Sequence, residues 1–119
     1  MRRTLAVLLA ALPAALGLLC TSCYGDPDSF IVAKAKYDCI RLAECNRSFF
    51  EDAYNGDMAE CRQEVEDGLD SARDLLEALN QDYDQDEGQQ CISVSRSLKH
   101  DCSNNADDDI ADACDRVYH

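Results

Sequence analysis

The sequence predicts an all-α domain, a small disulfide-stapled antiparallel array of about four helices. Apolar residues recur at steps of three and four, no stretch alternates with the two-residue period of a strand, and six cysteines fall on the apolar stripes. The core available to such a domain is thin. Leu, Ile, Val and Phe number 17 among the 97 residues from position 23 onward, which carry 24 acidic and 9 basic side chains, a net charge of −15. A chain of that composition buries too little apolar surface to offset its conformational entropy unaided. Three disulfides, at about 2–4 kcal/mol each, are a contribution of the size required.

The elements follow in chain order. Met1-Arg2-Arg3 and the uncharged run from Leu5 to Leu19 read as the n- and h-regions of a secretory signal over residues 1–22. The run is shorter than the roughly 20 residues a membrane-spanning helix needs. The paired arginines alone do not make a twin-Arg signal. Residues 23–29 are polar and turn-rich, a short tether, with Asp28 or Ser29 placed to cap the helix that follows. The helical domain then runs over 30–119. Its first stripe, Ala35, Cys39, Leu42, Cys45 and Phe49, predicts a helix from Phe30 to about Phe50, ended by the turn signal Asn55-Gly56-Asp57. Met58, Cys61, Val65, Leu69, Ala72, Leu76 and Leu79 form a second stripe over six turns, with acids around it and Gly68 inside it. Residues 80–90 read as an acidic link. Cys91, Val94, Leu98 and Cys102 form a third stripe, Asn104-Asn105 breaks it, and Ile110, Cys114 and Val117 form a fourth, preceded by Asp107-Asp108-Asp109 where a helix N-terminus favours negative charge.

The end of the signal carries chemistry. Cys20-Thr21-Ser22-Cys23 resembles a bacterial lipobox, with Cys20 where leucine is usual. That resemblance implies a diacylglyceryl group on Cys23 and a membrane held through an N-terminal acyl anchor. Ordinary cleavage after Ser22 is the alternative. Parity favours the anchor: without Cys20 and Cys23 the chain keeps six cysteines, an even set suited to an oxidising compartment. Tyr24 rather than aspartate follows Cys23, which points to the outer membrane or cell surface, with a soluble periplasmic or extracellular form as the alternative.

Six cysteines admit 15 pairings. Taking Cys45 and Cys61 to flank the first turn and Cys102 and Cys114 the last, hairpin staples Cys45–Cys61 and Cys102–Cys114 are expected, with Cys39–Cys91 joining the first helix to the third. Among these six, no CxxC pair or Cys/His cluster suggests metal ligation.

Asp82, Asp84 and Asp86 open like a calcium loop, but Glu87 stands where the glycine belongs and Ser93 where the bidentate glutamate belongs. They are weak calcium candidates within a solvated link. His100 lies two residues before Cys102, and a Cys/His nucleophile would need that thiol free. No acid shares an apolar stripe with a matching partner, as general acid–base work requires. Asn46-Arg47-Ser48 is a glycosylation sequon on an expected helix. The acidic balance argues against nucleic acid. No enzyme, cofactor or metal centre is expected, and the oligomeric state is open.

The layout Cys39-x5-Cys45, Cys61, then Cys91-x10-Cys102-x11-Cys114 with an acidic helix between resembles the small cysteine-rich exported lipoproteins of bacteria. That resemblance implies location and scaffold, with no activity to assign to any residue. The expected function is a non-enzymatic envelope or surface module, binding a protein partner or structural. The alternative is a secreted saposin-like lipid-binding domain using Phe49, Phe50 and Tyr54, although its opening Cys-x2-Cys is absent.

Overall fold

The computed structural model describes residues 23–119, so the signal region and Cys20 lie outside the described residues. The domain is all-α, with α1 (Pro27–Cys45), α2 (Arg47–Tyr54), α3 (Met58–Ala78), α4 (Gln85–Ser97) and α5 (Asn104–Cys114). The described residues add one isolated antiparallel bridge, between Tyr83 and Tyr118.

Helix ends account for the differences from expectation. Asp26, not Asp28 or Ser29, caps α1: its carboxylate accepts from the Ser29 backbone N–H at 2.9 Å, and Pro27 follows in the first turn. The helix therefore starts inside the expected tether. The expected helix over 30–50 is two helices. At Asn46 (φ −140°, ψ 63°) the backbone N–H still donates to Leu42 O at 2.9 Å, while the side chain accepts from Phe49 N at 3.4 Å. One residue closes α1 and caps α2, so the sequon asparagine sits exposed at a junction rather than within a helix.

The acidic link 80–90 is half helix. Asp84 accepts from the N–H groups of Asp86 and Glu87 at 2.9 and 3.1 Å and starts α4 at Gln85. Asn104-Asn105 opens α5 rather than breaking a stripe, because Ser103 caps it through Ala106 N at 3.2 Å. The second stripe is helical as expected, and Asp57 caps it.

The long helices run up, down, up, down, with α2 inside the first connection. Cys39–Cys61 and an Asp28–Arg73 ion pair set α1 antiparallel to α3. Cys23 O accepting from Gln89 Nε2 at 2.9 Å and Cys45–Cys102 set α1 parallel to α4. Backbones approach closely between α1 and α2, α3 and α4, between α2 and α3, and between α4 and α5. Helices α3 and α5 do not approach each other in this way: α3 packs on α1 and α2, and α5 on α4.

All three disulfides differ from the expected set. The bridges are Cys39–Cys61, Cys45–Cys102 and Cys91–Cys114, with Cα atoms 6.0, 5.3 and 4.6 Å apart. Cys102 and Cys114 lie at opposite ends of α5, about 18 Å apart at 1.5 Å per residue, where a bridge needs under about 7 Å. Cys45 lies about 9 Å further along α1 than Cys39, and the α1–α3 register puts Cys39 opposite Cys61. Cys91 then meets Cys114 on the antiparallel α5, not Cys39.

The thin core is split in two, each half built around one bridge. Phe30, Ile31, Cys91, Ile92 and Val117 form one cluster, and Cys39, Phe50, Tyr54 and Cys61 the other. The third bridge is different. Cys102 is exposed in the turn before α5, off any helical stripe, whereas Cys39, Cys61 and Cys91 are fully buried. Disulfide exchange requires access for the attacking thiolate. Under limiting reductant, Cys45 and Cys102 are therefore the first cysteines to alkylate, as peptide mass mapping would show. Earlier labelling of Cys39 or Cys61 would contradict this assignment of exposure.

Candidate functional site, an apolar groove at one end of the bundle

The α1–α3 register leaves part of one stripe uncovered. With Cys39 opposite Cys61 and Asp28 opposite Arg73, the start of α1 at Pro27 falls level with Arg73. Beyond it the last turn and a half of α3 has no α1 residue facing it. The stripe that is fully buried at Cys61 ends in the open at Leu79, which is 61 % exposed, and the neighbouring Leu75, off the stripe, is 63 % exposed.

Between α3 and the C-terminal segment, over the first turns of α1, lies a half-enclosed groove of about 190 Å³. Leu69 and Leu76 wall it from α3, Phe30 and Ile31 floor it, and Val117 closes the far side. Lys34, Arg73 and Tyr118 also line it. Both cations are already matched. Lys34 Nζ lies 2.6 Å from Asp38, and Arg73 pairs with Asp28, with Asp70 at 2.8 Å and with Asp74 at 3.9 Å. The Asp28 carboxylate, followed by Asp70, raises the Arg73 guanidinium above its ordinary value, so its charge is permanent.

A short clasp holds the far wall. Asp82 and His119 exchange two backbone hydrogen bonds (2.9 and 3.1 Å), Asp84 N donates to Val117 O at 2.8 Å, and His119 Nε2 lies 2.8 Å from Asp84 Oδ2. This last contact is the main reason the Asp84 carboxyl lies below its ordinary value. Between the clasped strands, Tyr83 and Tyr118 pack at 5.7 Å between ring centroids, and Tyr83 Oη donates to Tyr24 O at 2.5 Å. The Tyr118 hydroxyl is buried and meets no hydrogen-bond partner among the described residues. Burial, with Glu77 and the Asp28 and Asp70 carboxylates, outweighs the opposing Arg73 and raises its phenol.

Burial, then Tyr118, pushes the Tyr83 phenol up to about 12. A raised phenol binds its proton more tightly in the folded chain. Its contribution to stability is whole below the unfolded value near 10 and is lost as pH rises through about 12. The urea midpoint is therefore expected to fall across that window, and Tyr83→Phe to flatten the fall while lowering the neutral-pH baseline. An unchanged slope in the variant would assign the alkaline loss elsewhere.

The residues singled out in the sequence lie elsewhere or do other work. Asp84 is a helix cap bound to His119, Asp86 lies in the first turn of α4, and Asp82 is a backbone partner of the C-terminus. No three metal-ligating side chains gather among the described residues. His100 pairs with Glu44, and the nearby Cys102 is bridged to Cys45. Phe50 and Tyr54 are 6 % and 7 % exposed in the second core, leaving Phe49, at 49 %, as the exposed member of that trio. Sequence reasoning missed Tyr118, Arg73 and the clasp, whose one visible signal was a pair of tyrosines in otherwise polar segments.

The three bridges indicate an oxidising, exported environment. No described helix is long and apolar enough to cross a membrane. Comparison of the chain with protein-family models, with curated proteins and with solved structures finds no match.

Proposed function

We propose that the chain is an exported, non-enzymatic binding module of the outer membrane or cell surface, anchored by an acyl group on Cys23, with the groove as its working surface. The observation that carries the reading is apolar surface left open on a strongly acidic, cross-linked frame: the groove lined by Leu69 and Leu76, with Leu75 and Leu79 exposed at the end of the same helix. Exposed apolar surface of this kind marks sites of interaction more often than a packing fault. The anchor reading draws on complete pairing among the six cysteines after Cys23. It also fits the layout of that end of the bundle. Cys23 bonds directly to α4, and the start of α1, the end of α3 and the clasp all gather there. An anchor at Cys23 holds the groove close to the membrane.

Intact mass of the protein extracted from membranes tests the anchor: a diacylglyceryl increment on Cys23 is expected, and an unmodified mature N-terminus refutes it. Flotation of a form starting after Cys23 on zwitterionic vesicles separates the readings. A module that depends on its anchor stays in the dense fraction. A saposin-like lipid binder floats, and that outcome would replace the present reading.

A further inference from the structure

We infer that one face of the domain, formed by α1 and α4 beside Cys23, rests on the phosphate headgroups of an anionic membrane leaflet and leaves the groove open on the side away from it. The inference rests on the reading of Cys23 as the anchor and adds the orientation of the domain around it.

Charge is segregated in this chain. Residues 29–37 of α1, and 88–100 from the first turn of α4 to just past its end, contain none of the 24 acids. The two helices run parallel and in contact, so these stretches lie side by side. They carry Lys36, Arg96 and Lys99, and none of the three pairs with a carboxylate among the described residues, whereas Lys34, Arg41, Arg47 and Arg73 each do. Lys36 and Lys99 share one aromatic ring instead: their ammonium groups stand 5.4 and 6.0 Å from the Tyr37 centroid. Lys99 Nζ also donates to Arg96 O at 3.1 Å, which brings it to the base of Arg96. A ring attracts a cation but cancels no charge, so this cluster still calls for an anion. The acids that border it are engaged: Asp26 caps α1, Asp28 pairs with Arg73, and Glu44 with His100.

The place of Cys23 identifies that anion. Cys23 and Arg96 line one hollow of about 170 Å³ with Tyr24, Gln89 and Ser93. Tyr24 also borders the next hollow, lined by Val32, Lys36 and Tyr37. A cysteine acylated there sets its glycerol at headgroup level, where the phosphates of neighbouring lipids meet the same guanidinium and ammonium groups. Val32, 56 % exposed, and the two tyrosines suit that zone, since tyrosine offers an apolar body and a polar tip to a boundary between lipid and water. The acidic bulk does not forbid the contact. Helix α3 packs on α1 and α2 without approaching α4, and charges more than about 8–10 Å from the headgroups are largely screened at physiological salt.

The same orientation keeps the groove accessible. A helix turns about 100° per residue, so Ser29, Val32, Ala33 and Lys36 share one side of α1. Phe30, Ile31 and Lys34, which line the groove, share the opposite side. A domain lying on the first side presents the second to solvent.

The test couples the isotope-labelled processed protein through the Cys23 thiol to a maleimide lipid in nanodiscs. Cys23 is the free cysteine among the described residues, and chemical coupling supplies the anchor whether or not the cell acylates it. Each cation near an anionic surface is worth about a fivefold preference, so three favour this face on the order of a hundredfold. With a gadolinium-chelating lipid in phosphatidylglycerol discs, the amides of Val32, Lys36, Tyr37, Arg96 and Lys99 should broaden while those of Glu64, Asp67 and Leu76 stay sharp. Phosphatidylcholine discs, or raised salt, should erase the contrast. Lys36→Gln with Arg96→Gln should cut the preference to about fivefold. Arg47→Gln with Arg116→Gln, an equal change in net charge, should leave it intact, and all four positions are exposed, so neither pair disturbs the core. Equal contrast in neutral discs, broadening centred on α3, or a contrast that survives Lys36→Gln with Arg96→Gln would each overturn the proposal. Native protein that carries its acyl group while the coupled form shows no contrast defeats this inference alone. An unmodified native Cys23 with the contrast intact defeats the anchor and leaves the affinity of the face standing.

Discussion

Replacing Cys39 and Cys61 together by alanine is expected to lower the unfolding free energy by about 4–5 kcal/mol, the largest loss available from any one bridge. Two terms add. The bridge closes a sequence separation of 22 residues, and chain entropy assigns a loop of that length about 3 kcal/mol. Both side chains are 0 % exposed and sit among Phe50 and Tyr54, so removing the sulfurs also opens a void worth roughly 1–2 kcal/mol. Cys45–Cys102 makes an informative contrast. Its separation of 57 residues gives a loop term of about 4 kcal/mol, but its sulfurs lie toward the surface and their loss leaves little cavity. The two variants come out within about a kilocalorie of each other by different routes.

The denaturant slope separates those routes. Cutting the long loop lets the unfolded chain expand further and raises m more than cutting the short one. Against a total of about 5–15 kcal/mol for a domain of this kind, either loss is large. Chemical denaturation with a thiol count on each variant is the measurement. The cross-pair variant Cys45→Ala with Cys61→Ala is the control on connectivity. It strands Cys39 and Cys102 and should show two free thiols. If that variant held no free thiol and lost only one bridge, the pairing described here would be wrong.

The second large effect is expected at Gly88. A β-carbon built there would lie 2.2 Å from Tyr83 Oη and 2.8 Å from Cζ, well inside contact. On an open helix face, Gly→Ala gains about 1 kcal/mol. Here Tyr83 cannot step aside freely. Its hydroxyl is bonded to Tyr24 O, and its ring lies 5.7 Å from both the Phe30 and Tyr118 rings. Overpacking of that kind costs about 1–3 kcal/mol after relaxation, so Gly88→Ala should destabilise the domain. The clash has a named partner, so a double-mutant cycle reads it directly. In a Tyr83→Leu background the same substitution should become neutral or stabilising. A stabilised Gly88→Ala single mutant would show that the ring yields at no cost. The same geometry explains a sequence feature that the calcium pattern could not use: the glycine one place late for a calcium loop makes room for a tyrosine.

How much of this was legible depended on the range of the interaction. The stripe from Met58 to Leu79 announced α3 correctly because a helix face repeats every three or four residues, whatever it packs against. The turn at Asn55-Gly56 was legible for a similar local reason: both residues adopt positive φ, at 53° and 69°. Asn46 was misread because a residue that ends one helix and caps the next keeps the apolar spacing running through the break. Phe49, Phe50 and Tyr54 formed one trio in the sequence and two populations in the fold, since the short α2 turns Phe50 and Tyr54 into the core and leaves Phe49 outside.

The disulfides mark that boundary most clearly. Composition alone required cross-links, because 17 large aliphatic and phenylalanine residues in 97 cannot offset the entropy of a chain this charged. Periodicity alone placed five of the six cysteines on helices of the fold. Which sulfur meets which was decided by register, and register comes from contacts far apart in sequence. Arg73 reaches Asp28, Gln89 reaches Cys23, and Asp82 pairs with His119. The same register lets α3 outrun α1 and leaves its last leucines open. Composition and local periodicity were enough for the all-α class, the need for bridges and the acidic surface. Only the tertiary structure decided the pairing and the groove, because a helical stripe encodes that a face is buried but not what lies opposite it or where that cover stops.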